Sequence, residues 1–578
     1  MSLSSIFNVG RSALNASQIS IQVAGNNMAN AATPGYSRQV GTMAPLQGDG
    51  SMRGISIGMG VQVREVRRQV DGALTSRLWA GTSDQAAAQS QSQLLSGIET
   101  ILGELGENDL SSELSAFFRS WSEAANGNNS SSVVVNQGAK LASFMRTLRT
   151  DLTQQRQLMD QQLSEAVRSA NELLTRTADL NRAISDAEGA GTMANTLRDQ
   201  RDQALTELSA LMDISVVDRG PQGMDVLVGS TPVVLGGQSR GLEMRRESEN
   251  GRTVTRVVAV ASGTEIDVRS GQIGALISGR NKTLDGTIDS LDAVAAQLIF
   301  QVNKLHATGR NLAGFSALTG SLNIRTADRT VALNDGANET FGRLPFKAVS
   351  GGFTVNVRNA ATGSTESVRV RVDLDGVMSN GQFGTSDDTS AEQIRAAIDG
   401  VPGVSATFDS SGRLSVVADE GVTVSFADDS SGVLAVMGMN AYFTGTDAGE
   451  IAVRSELSSD PSLLARGRDS ANGFVENGTS LAIAGLQSNK VSELGDRSIQ
   501  EAWRDCSQLV GGDAATAQSR ALAASVVTES LTAQRAAISG VSMDEEAVNL
   551  MNYQRQYQGA ARLISVADEL TQTLLSLV

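Results

Sequence analysis

Large and small apolar residues alternate at the two ends of this chain in a pattern its middle does not share. Phe7, Leu14, Ile21 and Met28 fall seven apart, and Gly10, Ser17, Ala24 and Ala31 sit three beyond each of them. Large residues at a and small ones at d predict a helix that a partner helix can approach closely. Val9, Ala16 and Val23 draw a second apolar line on another face, and a helix apolar on two faces expects two neighbours. Arg11 is the only charge between Met1 and Ser37. At the other end, Ser542 and Glu545 form an S-x-x-E capping box, with Asp544 and Glu546 also in the first turn, where the helix dipole favours anions. Met543, Ala547, Leu550, Tyr557, Ala561 and Ile564 follow at helical spacing. Ala560, Leu563, Ala567, Leu570, Leu574 and Leu577 then run at the 3,4 spacing of a strict coiled-coil seam. One reading is a coiled coil that closes the fold within one molecule. The other, expected here, is that the ends pair with each other and then with further subunits.

Between the ends the period changes several times. The first helix should stop at Thr33-Pro34-Gly35-Tyr36, because the residue before Pro34 is pushed out of the α region and Pro-Gly is a type II turn. Residues 40 to 70 read as extended structure leading away from the terminal helix. Helix returns over 72 to 125, with one stripe at Leu94, Leu95, Ile98, Ile101, Leu102 and Leu105 and another at Leu114, Phe117, Phe118 and Trp121. Ala139 to Glu188 has neither Gly nor Pro and reads as a helical rod. Gly189-Ala190-Gly191 breaks it, and Thr192 to Met212 folds back as an α-hairpin. From Ile214 to Ser270 the period is two, with a hairpin turning at Gly229-Ser230. Helix resumes from Leu284 to His306. Residues 340 to 440 hold five strand candidates at Phe353–Val357, Val368–Val372, Val404–Phe408, Leu414–Val417 and Val422–Phe426, and one short helix capped by Ser390. From Pro461 onward the chain reads as helical, with a Ser498/Glu501 capping box and a weak point at Gly511-Gly512.

The expected fold is multidomain and mainly α with inserted β-rich modules. The N- and C-terminal helices pair as a coiled coil in a terminal assembly domain, 1–70 with 541–578. A helical rod domain takes 71–213 with 280–339 and 441–540. A β-rich domain occupies 214–279, and an inserted α+β domain 340–440. At 578 residues the chain is too long for a single core. A net charge of −16 argues against a nucleic-acid partner. One cysteine, Cys506, excludes an internal disulfide framework. No run of 18 apolar residues offers a membrane span, and no basic stretch followed by an apolar one offers a cleavable secretory signal. Those features alone would place the chain in the cytoplasm.

Four stretches carry a family resemblance. NNMANAATPGYSRQ (Asn26 to Gln39) resembles the N-terminal signature of bacterial flagellar axial proteins, the rod, hook and hook-associated families. SGVSMDEEAVNLMNYQRQYQGAARLISVADELTQTLLSLV (Ser539 to Val578) resembles the C-terminal signature of the hook-associated members. LRDQRDQALTELSALMDISV (Leu197 to Val216) and QVNKLHATGRNLAG (Gln301 to Gly314) agree with the same members. The resemblance does not reach residues 340 to 440. It implies a structural subunit that joins the hook to the filament, exported by the flagellar type III apparatus without a cleaved signal and residing outside the cell. It implies as partners further copies of the chain, a hook protein on one side, a second hook–filament junction protein on the other, and an export chaperone. The expected assembly interface comprises Phe7, Leu14, Ile21, Asn27, Met28, Asn30, Pro34, Gly35, Tyr36, Leu550, Tyr553, Tyr557, Leu563, Ile564, Leu570, Leu574 and Leu577. These ends are expected to be mobile in a free subunit and helical in a polymer. A hook or distal-rod subunit is the nearest alternative, and a cytoplasmic coiled-coil adaptor a more distant one.

Motifs of other chemistry are present and weak. Gly237-Gln238-Ser239-Arg240-Gly241 matches G-x-S-x-G, yet the nucleophile elbow needs a helix after its serine, and Leu242 to Val260 is charged and then alternates like a strand. Gly189 to Ala194 matches G-x-G-x-x-A but follows a helix rather than a strand. His306 is the only histidine and has no spaced ligand partners, so packing or a helix-end contact is expected. Cys506 lies on the face of Trp503 and Val510 and reads as an inert buried thiol. Asp373-Leu374-Asp375-Gly376 begins like a calcium loop, but Gly384 stands where the twelfth-position Glu belongs, so it reads as a turn. No catalytic residue, cofactor or metal is expected.

Overall fold

The computed structural model describes residues 3–46, 58–103, 109–127, 130–189, 193–220, 223–249, 252–470 and 473–576. Leu105, Leu577 and the Ala190 to Thr192 part of the expected helix break lie outside the described residues. The chain is mainly helical, with several small β-sheets. It divides into two compact units, one made of 1–94, 158–281 and 515–578, the other of 95–157 and 282–514.

In the first unit the N-terminal helix spans Leu3–Ala29. The Pro-Gly turn ends it as expected: Tyr36 N donates to Thr33 O at 3.2 Å, and Gly35 takes φ +81°. Strands Gln39–Pro45 and Val61–Arg68 then pair antiparallel, with an irregularity between Thr42 and Met43. This hairpin does not lead away from the terminal helix. It returns along it: Val61 N donates to Ser12 Oγ at 3.2 Å. A Cβ on Gly60 would lie 2.0 Å from that same oxygen, and Gly60 adopts φ +111°, so glycine is required there. Helix Asn195–Leu211 buries Ala204, Leu205 and Leu208. Behind it comes an antiparallel sheet of Ile214–Asp218, Met224–Val228, Thr231–Leu235 and Gln238–Ser239, in that order. Its Gly229-Ser230 turn joins Val228 to Thr231, with Gly229 at φ +56°, as a Gly-first hairpin demands. Ser239 is followed by a strand, Leu242–Glu249, so the helix a nucleophile elbow requires is not there. The C-terminal helix, Met543–Ser576, packs along the N-terminal one.

The second unit is built around an aromatic nest. Asp109 caps helix Leu110–Ala125, whose Leu114, Phe117, Phe118 and Trp121 are almost completely buried. Tyr442 packs edge-on against Trp121, and Tyr442 and Phe443 lie tilted against Phe117, with ring centroids 5.3 to 5.9 Å apart. The stretch Gln301 to Gly314 grips this aromatic segment. Asn303 Oδ1 accepts from the amides of Tyr442 and Phe443, both at 2.9 Å, and Asn440 Nδ2 donates to the carbonyls of His306 and Gly309. Helix Ser131–Gly189 passes so close to Tyr442 that a Cβ on Gly138 would lie 2.0 Å from its hydroxyl. The central strands fall where alternation put them. Gly351–Asn359 pairs with Thr365–Val372 and Val422–Ala427, and Leu414–Ala418 lies between Val404–Phe408 and Ala317–Thr319. Ser390 and Gln393 form a full capping box on helix Ala391–Asp399. The second of these sheets takes a strand from outside 340–440, a non-local pairing that no local pattern announces.

One expectation fails beyond Pro461, that the chain is helical from there onward. The chain first makes a 3₁₀ turn, Pro461–Leu463, and a hairpin of Arg468–Ser470 with Gly473–Val475. Gly467 is needed beside that hairpin, because a Cβ there would lie 2.3 Å from the Phe474 ring. Helix Ile499–Ser539 then runs unbroken through Gly511-Gly512. Its start is the predicted box, with Ser498 N donating to Glu501 and Glu501 N donating to Ser498 Oγ.

His306 is a buried structural histidine. It is fully enclosed, and its Nε2 accepts from Ala465 N at 3.1 Å, so Nδ1 carries the proton and donates to Asn440 O at 2.6 Å. Burial, followed by the charge of Arg454, pushes its pKa down to about 3 against an unfolded value of 6.5, opposed by the bond to Asn440. The unfolded chain therefore binds the extra proton between pH 6.5 and 3. The neutral-histidine contribution is complete above pH 6.5 and is lost as pH falls toward 3. At pH 4.5 the loss is expected to be about 3 kcal/mol. Urea unfolding of wild type and His306→Gln at pH 7.5 and 4.5 checks this: the wild type should lose more stability between the two pH values.

Candidate assembly surface

The pairing of the two terminal helices is made by small residues. On the N-terminal helix Gly10, Ala16, Ser17, Ser20, Ala24 and Asn27 are buried. On the C-terminal helix the buried residues are Glu546, Ala560 and Ala567. A Cβ on Gly10 would lie 2.6 Å from Ile564 Cγ1, so the helices touch where only glycine fits. Gly10 of the small-residue line thus lies against the C-terminal helix at Ile564. The second apolar line faces the molecule's own hairpin, since the Gly60 Cβ position lies 3.3 Å from Val9 Cα. A cleft lined by Asn15, Ala16, Ile19, Met59, Val61 and Val63, among others, runs between helix and hairpin.

The large residues of the expected interface divide into two groups. Phe7, Leu14, Ile21, Met28, Leu550, Tyr553 and Ile564 are half-buried. Tyr557, Leu563, Leu570 and Leu574 are exposed, with Leu570 at 48% and Leu574 at 51%. Met543, Val548, Met551, Val566 and Leu575 add to the same uncovered set. Leucines of the expected 3,4 seam are therefore not what meets the N-terminal helix. The alanines between them are, because a close approach to Gly10, Ser17 and Ala24 leaves no room for leucine.

The signature Asn26 to Gln39 is held inside the unit. Asn27 is 1% exposed; its Oδ1 accepts from the Tyr36 hydroxyl (2.8 Å) and Gln39 N (3.0 Å), and its Nδ2 donates to Gln39 O (2.9 Å) and Glu546 Oε2 (3.1 Å). Asn30 bonds back to Asn26 and accepts from Thr33, Pro34 is exposed, and the Cβ position of Gly35 meets Gln203. Arg38 reaches Glu546 at 2.7 Å and Glu545 at 3.3 Å. Glu545 thus turns to Arg38, while only the Ser542 half of the expected capping box is made, at 3.4 Å. Ser37 N donates to Asp199, and Arg68 Nη1 bridges Asp199 and Asp202 at 2.8 and 2.7 Å. Burial first, then Asp199 and Glu546, push the Tyr36 phenol up to about 12. The Asn26–Gln39 stretch, the Leu197–Val216 stretch and the start of the C-terminal helix therefore meet at one joint. Arg38, Arg68, Asp199, Asp202 and Glu546 were not singled out as site residues, although all but Arg68 lie within the stretches that carry the resemblance.

Comparison with known proteins agrees with this layout. Residues 7–36 match the family of flagella basal body rod proteins, and residues 532–577 match the flagellar basal body rod FlgEFG protein C-terminal family. Residues 95–320 match the flagellar hook-associated protein FlgK helical domain. The flagellar hook-associated protein 1 of Salmonella typhimurium is 26% identical over 601 aligned residues, covering all of both chains, and that of Escherichia coli K12 is 26% identical, again over all of both. Over its whole length the chain is thus similar to flagellar hook-associated protein 1. The protein of that name from Bacillus subtilis is 30% identical over 218 residues, 36% of this chain and 42% of that one. These matches support a structural role for the chain in the flagellar axis.

The joint supplies a test. Glu546→Ala leaves Asn27 and Arg38 without their buried acceptor and is expected to cost about 3 kcal/mol in urea unfolding. Glu545→Ala removes an exposed partner and is expected to cost less than about 0.5 kcal/mol.

Proposed function

We propose that this chain self-assembles at the hook–filament junction and joins the hook to the flagellin filament through its terminal helices. Its neighbours in that reading are copies of itself, a hook protein on one side and a second hook–filament junction protein on the other. An export chaperone and the flagellar type III apparatus deliver it to the cell exterior. The observation that carries the proposal is the uncovered apolar set on the C-terminal helix, from Met543 to Leu575, which the N-terminal helix leaves in water. Apolar surface of this extent on a charged, acidic chain marks an interaction face. Each half-exposed Leu or Val gains about 1 kcal/mol on full burial, so the set is worth on the order of ten kcal/mol before ordering costs.

The same surface supports a coiled-coil arrangement completed between subunits, with Leu563, Leu570 and Leu574 as its seam. Both end helices are formed in the single chain, but the C-terminal one has three buried residues in 34, so assembly would add most of its tertiary support. We read no enzymatic role for Ser239 or His306. The alternative of a hook or distal-rod subunit is less well supported, because the hook-associated helical domain matches 95–320.

Complementation tests the proposal. In a strain lacking the protein, hooks should persist without filaments, and the wild-type chain should restore filaments. Leu570→Asp and Leu14→Asp should be exported yet fail to restore them, while the purified Leu570→Asp chain melts like wild type.

A further inference from the structure

The sheet of strands Thr365–Val372, Gly351–Asn359 and Val422–Ala427 has one apolar face and one polar face. Phe353, Val355 and Val357 point into the core. The opposite face carries three cross-strand rows, fixed by the register: Arg369, Thr354 and Ala427; Ser367, Asn356 and Ser425; Thr365, Arg358 and Thr423. The hairpin Arg468–Ser470 with Gly473–Val475 stands beside this face and encloses a cleft of about 550 Å³, within the range of small-molecule sites. Arg310, Asp428, Asp469, Ser470 and Phe474 form its wall and rim.

Part of this polarity is structural. Ser425 Oγ donates to Asp469, and Asp469 accepts from Arg310 at 2.9 to 3.0 Å, with the Arg310 guanidinium lying 3.8 Å over the Phe474 ring. Those bonds hold the hairpin in place. They leave two groups unexplained. Asn356 is 5% exposed; Ser367 donates to its Oδ1 at 2.7 Å, and its amide nitrogen has no partner among the described residues. That nitrogen lines the cleft and stays open to solvent there, free to donate to a ligand. Arg358 is an exposed guanidinium with no ion pair among the described residues, on the same face one row away. Asp428 at the rim is held at φ +49° by Arg369, which donates to its carbonyl at 2.9 Å.

We propose that this cleft binds a carboxylated sugar. Sugar hydroxyls both donate and accept, and the lining answers in kind: the hydroxyls of Thr354 and Thr365 can do either, while those of Ser367 and Ser470, whose protons go to Asn356 Oδ1 and Gly473 O, accept. The Asn356 amide nitrogen supplies a donor for a ring hydroxyl from the floor of the cleft, and the Asp428 carboxylate an acceptor at the rim. The Arg358 fork matches a carboxylate in a bidentate pair, which a neutral sugar does not offer. This site is independent of how the terminal helices assemble.

Titration of the full chain with trigalacturonate, followed by calorimetry, tests the assignment, with neutral galactobiose as the comparison. Saturable binding of trigalacturonate is expected, at least about tenfold tighter than galactobiose. Arg358→Ala, a surface change that leaves the fold intact, and Asn356→Ala should each weaken it at least about tenfold. Should Asn356→Ala lower the melting temperature, Thr365→Ala takes its place, with a several-fold loss expected. No saturable binding up to millimolar trigalacturonate, binding indifferent to Arg358→Ala, or equal binding of galactobiose would overturn the proposal.

Discussion

Everything at the ends of this chain follows from the closeness of two helices. Gly10 meets Ile564 at a distance that excludes any side chain, and Ser17, Ala24, Ala560 and Ala567 continue the line of small residues. Close packing of small residues brings backbones together but buries little apolar area per residue. The large residues are displaced to the flanks, where one molecule has nothing to cover them. A helix pair built this way is complete as a register and incomplete as a hydrophobic core. Its remaining driving force is directed outward, toward neighbouring subunits.

That register needs a fixed point, and the joint at Asn27 supplies it. One buried amide satisfies the Tyr36 hydroxyl, the backbone of Gln39 and the Glu546 carboxylate at once. Arg38 neutralises Glu546, and Arg68 neutralises Asp199 and Asp202. A polar network of this kind is unforgiving of slips, because a one-residue shift would leave several buried groups without partners. The second unit uses the same logic around Asn303, His306 and Asn440, where side-chain amides and an imidazole clamp the irregular segment carrying Tyr442 and Phe443. In both units a signature stretch marks a place where non-repetitive backbone is held by buried side chains.

Local signals were legible and partner choice was not. The turn at Pro34-Gly35, the box at Ser498, the strands from Phe353 to Phe426 and the cap at Ser390 all rest on interactions within a few residues, and each formed. The heptad gave the N-terminal helix and its small-residue face. It did not distinguish the alanines from the leucines of the C-terminal seam, because both recur at the same spacing and only the partner's shape selects between them. The segment 461 to 475 misled because its hairpin is held by a distant ion pair, Arg310 with Asp469. Asp388 joins Asp373 and Asp375 to within 4.8 Å, from thirteen residues beyond the pair, which no spacing rule for a contiguous loop start reveals. Asn27 and Tyr36 were expected at the assembly interface; within one molecule Asn27 is buried against Tyr36, Gln39 and Glu546, and the last of these lies at the far end of the chain, which no local pattern reveals.

The central claim is that Leu563, Leu570 and Leu574 are left uncovered by their own molecule so that a polymer covers them. Hydroxyl-radical footprinting of these three residues, in the dilute purified chain and in sheared flagellar appendages, measures this directly. The account predicts ready oxidation in the free chain and at least about tenfold protection in the appendage. Equal reactivity in both, or protection already complete in the dilute chain, would contradict it.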